Sequence, residues 1–68
     1  MVLIFGKEHC PYTDAARRDL ESRGVTFEYV DVKKSRAEME RMLQYSGGQR
    51  RVPVIVEGAR VTIGFGGT

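Results

Sequence analysis

Cys10 is the only cysteine in a chain of 68 residues. That fact removes most of the devices that hold so short a chain together. A domain of this size buries only about 60% of the surface its unfolded form exposes, and small domains usually compensate with disulfides or a metal. One cysteine cannot close an internal disulfide. With the single histidine, His9, it cannot complete a tetrahedral zinc site without ligands from another molecule, so no metal is expected. Stability must then come from regular structure packed around one thin core, a single domain over residues 1–68. A lone cysteine also suits a reducing compartment. The opening MVLIFG is followed at once by Lys7 and Glu8. It is too short for a signal peptide's apolar region or a membrane span. A cytoplasmic protein with no membrane association is expected.

Charge narrows the partners. Eleven Lys or Arg stand against nine Asp or Glu, a net charge of +2. The signs are interleaved in RRDLESR and RAEMERM, as on solvated helix faces. Only QRR at 49–51 is a local basic cluster, and no aromatic residue interleaves it. Nucleic-acid binding is therefore not expected, whereas a small acidic ligand would suit a few well-placed cations.

The apolar run VLIF at 2–5, ended by Gly6, reads as a central strand. After a polar loop, Pro11 fits the first turn of a helix, where its missing N–H costs nothing. Ala16 and Leu20 share one face of that helix, and Gly24 is a suitable stop. Residues 25–32, VTFEYVDV, are rich in β-branched and aromatic types and predict a strand. Ser35 and Glu38 predict a capping box at the start of a second helix. Met39, Met42 and Leu43 would form its apolar stripe, with SGG at 46–48 as its end. VPVIV at 52–56 predicts a third strand. After a tight turn at Glu57-Gly58, ARVTIGF at 59–65 predicts a fourth, with Val61, Ile63 and Phe65 on one side and Arg60 and Thr62 on the other. The order is β-α-β-α-β-β, in which a right-handed parallel crossover precedes an antiparallel hairpin. Pro53 conflicts with a central strand, since proline cannot donate to a ladder. Either it starts the strand, or the Val52-Pro53 bond is cis.

Cys10 falls where the loop enters the first helix. A helix N-terminus favours an anion and lowers a cysteine's pKa. Lys7, three residues earlier, adds positive charge. The alternative is an inert cysteine packed like a small hydrophobe. Thr13 cannot close a disulfide with Cys10. Its hydroxyl either donates to a Cys10 thiolate or caps the first turn.

These residues also carry a resemblance. KEHCPYT after an apolar strand is similar to the active-site loop of glutaredoxins, whose usual motif is Cys-Pro-Tyr-Cys with a lysine three residues before it. RVPVIV resembles their Thr-Val-Pro segment, and IGFGGT, less closely, their glycine-rich segment. The motifs come in the family's order over nearly the whole chain. With threonine fourth, the chain most resembles glutaredoxin-like proteins carrying Cys-x-x-Thr, some of which use selenocysteine. The resemblance implies a minimal thioredoxin-like fold, an α/β domain with a four-stranded mixed sheet and the family's C-terminal helix missing. It implies that Cys10 is the nucleophile beside Thr13, and that Pro53 is cis. It further implies that Lys7, Tyr12, Arg51, Val52 and Pro53 hold glutathione, with Gln44 and Arg50 as weaker candidates.

The implied function is a monothiol, glutathione-dependent thiol–disulfide oxidoreductase. Cys10 would form a mixed disulfide with glutathione or a protein thiol, and a second glutathione would resolve it. Three departures stand out. Thr13 replaces the resolving thiol. No acidic residue follows the glycines, where Gly66, Gly67 and Thr68 stand. Without the last helix, one sheet face would be bare enough to invite a weak dimer. An iron–sulfur cluster or a protein-interaction module without redox turnover is the alternative.

Overall fold

The apolar run at the start of the chain becomes β1 (Val2–Gly6), and the other elements are arranged about it. They are α1 (Pro11–Ser22), β2 (Phe27–Asp31), α2 (Arg36–Ser46), β3 (Val54–Glu57) and β4 (Arg60–Ile63). The computed structural model describes residues 1–66. Gly67 and Thr68, part of the glycine-rich end, lie outside the described residues. The β-α-β-α-β-β order read from the sequence is observed, and with the mixed sheet it matches the minimal thioredoxin-like fold that the resemblance implies. Strand order is β2-β1-β3-β4. β1 runs parallel to β2 and antiparallel to β3, and β3 and β4 form the hairpin. Among the described residues, no helix is long and apolar enough to cross a membrane.

Register sorts the core into two layers. Ile4 lies beside Tyr29 and Ile55 on one face of the sheet, where α1 packs with Ala16 and Leu20. Phe5 lies beside Val30 and Val54 on the other face, where α2 packs with Met42. One residue of slip in β1 would exchange these two sets.

Four local readings differ from the sequence expectation. β2 starts at Phe27 rather than Val25. The Val25 N–H instead donates to the Leu20 carbonyl at 2.9 Å, closing the end of α1 around Gly24 at φ +71°. β3 begins at Val54, so Pro53 precedes the ladder and no donor is missed. The capping box does not form. Ser35 is the N-cap but makes no side-chain cap bond. Glu38, which would have reached back, pairs with Arg41 at 3.0 Å. Phe65 does not align with Val61 and Ile63. β4 stops at Ile63, and Gly64 takes φ +87°, where a side chain is disfavoured. The Gly64 N–H donates to the Pro53 carbonyl at 2.7 Å. The chain thereby crosses the sheet edge, and Phe65 packs with Ile55 on the α1 face while Ile63 joins the α2 face.

Candidate active site

The site is assembled at the end of β1. The loop turns sharply at His9, whose φ of 64° lies in the left-handed region. This is unusual for a residue with a side chain. The turn delivers Cys10 as the N-cap of α1, in extended conformation, with Pro11 as the first helical residue. The Cys10 carbonyl accepts the first helical bond, from the Asp14 N–H at 3.0 Å. The Cys10 sulfur therefore stands where a serine or aspartate oxygen would normally cap the helix.

As a neutral thiol, Cys10 makes no side-chain cap bond, and the Thr13 hydroxyl oxygen, fully buried, has no hydrogen-bond partner of ordinary geometry. The same groups act on the anion. Burial alone pushes the Cys10 thiol up. The Thr13 hydroxyl, the N–H groups of Thr13 and Tyr12 and the charge of Lys7 together outweigh it, so the pKa lies below the ordinary thiol value. Cys10 is 7% exposed as a residue. It is shielded by its immediate neighbours but lies close to the surface, so burial costs the anion less than those donors return. Such surroundings equip a thiol to act as a nucleophile.

Thr13 owes its place to Gly6. A Cβ on Gly6 would lie 2.4 Å from Thr13 Cγ2 and 2.8 Å from Oγ1. The threonine side chain is seated on the bare backbone at the end of β1. This contact explains why the fourth motif position is fully buried while Tyr12, one residue earlier, is 43% exposed.

The second wall is the segment between α2 and β3. The Val52-Pro53 bond is cis, and Pro53 is buried. Among the described residues, the N–H and C=O of Val52 enter no backbone hydrogen bond. Between this segment and the Cys10 loop lies an open cleft of about 440 Å³, lined by Lys7, His9, Cys10, Pro11, Tyr12, Arg50, Arg51 and Val52. It is within the size range of small-ligand sites. The structure thus brings Lys7, Cys10, Tyr12, Arg51 and Val52 together, with Arg50 among them. Thr13 and Pro53 sit behind the cleft, and Gln44 does not line it. Among the described residues, no cluster of three or more His, Cys, Asp or Glu side chains is placed to hold a metal.

Sequence reasoning missed Gly6, whose role depends on a neighbour seven residues away. It also missed a polar cluster beneath the loop. The Tyr29 hydroxyl donates to Glu8 Oε2 at 3.0 Å. Arg17 lies 3.8 Å from the same oxygen, and its guanidinium carbon stands 4.0 Å over the Tyr29 ring. Burial and the adjacent Glu8 carboxylate push the Tyr29 phenol far up, so it is a standing donor. The only signal in sequence was the tyrosine itself, read as a strand former.

The fold is shared with known proteins. Among curated proteins no significant sequence match is found. The glutaredoxin from Archaeoglobus fulgidus is 28% identical, with a TM-score of 0.84 over 96% of this chain and 75% of that one. The glutaredoxin-like NrdH-redoxin from Escherichia coli, described as having a thioredoxin-like activity profile, is 28% identical, with a TM-score of 0.82 over 94% of this chain and 82% of that one. A buckwheat glutaredoxin in complex with glutathione shares the fold, at 23% identity and a TM-score of 0.77, over 93% of this chain and 59% of that one. The glutaredoxin family model matches residues 2–61, which include the Cys10 loop, the Val52-Pro53 segment and every strand but the last two residues of β4. The chain belongs to the glutaredoxin family of thiol–disulfide oxidoreductases.

Proposed function

We propose that the protein works by a monothiol route with glutathione as the resolving thiol. The observation that carries this is the environment of Cys10. Its pKa is lowered at the N-cap of α1, and the position where a resolving cysteine would stand holds the buried Thr13. The Cys10 thiolate attacks one sulfur of a substrate disulfide. A new S–S bond to Cys10 forms as the other sulfur leaves as a thiolate. An external glutathione thiolate then attacks the substrate sulfur of that mixed disulfide, and Cys10 departs as a thiolate, ready for the next cycle. Lys7, Arg50 and Arg51 favour carboxylates at the cleft. Val52 offers backbone groups to a peptide, and Tyr12 flanks it. A thiol pool of this kind accords with the cytoplasmic location expected for a lone cysteine.

Turnover of a glutathione mixed disulfide, with glutathione as reductant, tests this. Wild type should be active and Cys10→Ser at least ~10³-fold slower with its fold retained. Activity retained in Cys10→Ser would overturn the proposal. The likeness to NrdH-redoxin favours a second reading, in which another thiol donor replaces glutathione. Rates that saturate with a protein dithiol donor but not with glutathione would select it.

A further inference from the structure

The residues lining the Cys10 cleft include both neighbours of Glu8, namely Lys7 and His9, but not Glu8 itself. The charged residues of the lining, Lys7, Arg50 and Arg51, are all cationic, and no acid is among them. Yet Glu8 stands two residues from the reactive sulfur. Its carboxylate is turned the other way, back toward the sheet. There it accepts the Tyr29 hydroxyl at 3.0 Å and lies 3.8 Å from Arg17. Arg17 in turn is held over the Tyr29 ring at 4.0 Å. Three separate elements, the loop, β2 and α1, converge on this one acid.

We propose that Tyr29 and Arg17 are positioning residues that hold the Glu8 carboxylate out of the Cys10 cleft, keeping its mouth cationic for an anionic sulfur substrate. This rests on Cys10 being the reacting group. Released from Tyr29, Glu8 has Lys7 as its immediate neighbour on an exposed loop. Pairing there would neutralise the one lysine that favours the Cys10 thiolate and set a negative charge at the entrance. An exposed Arg17–Glu8 pair alone holds weakly. The phenol supplies a directed donor, and the ring gives Arg17 a stacking surface.

Because Cys10 is the only cysteine, the local potential at its sulfur is readable without turnover. The experiment measures alkylation of Cys10 by anionic iodoacetate and by neutral iodoacetamide, and takes the ratio of rates. The neutral reagent reports thiolate fraction and access, so a general loosening of the loop cancels. In Tyr29→Phe, which keeps the ring, the ratio should fall about two- to fivefold at low ionic strength, the range for one exposed charge contact. The fall should shrink in high salt. Adding Glu8→Gln to Tyr29→Phe should restore the ratio. Arg17→Met should lower it in the same direction, and serves as the second variant if Tyr29→Phe does not fold. An unchanged ratio in the folded single variants would overturn the proposal. So would a ratio that stays low after Glu8→Gln, which would mark Tyr29 as a purely structural residue. If wild type reacts with both reagents but turns over no disulfide, the redox function fails, while the ratios still decide the role of Tyr29.

Discussion

Beneath α2 the sheet presents Phe5, Val30, Val54 and Val56, and the helix meets them with Met42; Val32, just after β2, completes six buried residues in one contiguous layer. Beneath α1 the buried layer is Ile4, Ala16, Leu20 and Ile55, filled out by half-buried side chains such as Tyr29 and Phe65. None of the six buried residues of the first layer lines the Cys10 cleft, which meets that layer only through the half-buried Val52. The second is built around the helix whose first turn is the site. On the α1 face the same residues therefore serve packing and chemistry. Thr13 fills the space above Gly6 and addresses the sulfur. Tyr29 packs in the layer and restrains Glu8. The two faces should respond differently to damage. Loss in the α2 layer should cost stability alone, whereas loss in the α1 layer should alter the thiol as well.

Met42→Ala provides the largest test of that division. Met42 is fully buried at the centre of the α2 layer. Truncation should cost about 2–5 kcal/mol, read by denaturant unfolding. In conditions where the variant remains folded, the rate and pH dependence of Cys10 alkylation should match wild type. A shift in the Cys10 titration would show that α2 and the site are coupled, and the division of labour between the faces would not hold.

Gly6→Ala should give the opposite pattern. The added methyl would stand 2.4 Å from Thr13 Cγ2, closer than real contacts allow. Either the start of α1 or the end of β1 must move. Overpacking of this kind costs about 1–3 kcal/mol. Unlike Met42→Ala, it should also raise the Cys10 pKa, because the displaced group is the sulfur's hydroxyl donor. Shortening the neighbour with Thr13→Ser in the same chain should recover part of the stability. If Gly6→Ala lost stability but left the thiol titration unaltered, Thr13 would be a filler only.

The order of elements, both layers' helical residues and the Cys10–Pro11 junction were legible because each follows from spacing along the chain. Ala16 with Leu20 and Met39 with Met42 and Leu43 are periodic signals, and Pro11 is a local one. What was not legible depended on pairs distant in sequence. Phe65 continued the alternation of Val61 and Ile63 on paper. Only the Gly64 turn, fixed by the Pro53 carbonyl, sends it to the opposite face. Glu8 and Tyr29 are 21 residues apart and meet because β2 lies parallel to β1. The capping box at Ser35 was a correct local pattern, but Arg41 competed for the same Glu38. In the site, the cleft residues were named from motif resemblance, whereas Gly6 has no motif and is visible only as the space Thr13 occupies.

Thr13→Val has the smallest expected effect on stability and a divided sign. Valine keeps the shape over Gly6 and removes a buried hydroxyl that has no ordinary partner when Cys10 is neutral. Removing an unsatisfied buried polar group is neutral or stabilising, by at most about 1 kcal/mol at low pH. The thiolate, however, loses a donor that helps hold its pKa below the usual value. A group whose folded pKa is depressed contributes stability that is fully present above its unfolded pKa and lost as pH falls through its folded pKa. Wild type should therefore gain stability as pH rises through that window. In Thr13→Val the gain should be smaller, and Cys10 should require higher pH for the same alkylation rate with a neutral reagent. Stability and reactivity thus move in opposite directions for one methyl-for-hydroxyl exchange. A Cys10 titration identical in Thr13→Val and wild type would leave the backbone N–H groups and Lys7 as the whole source of the lowered pKa, and the α1 face would then divide packing from chemistry as cleanly as the α2 face does.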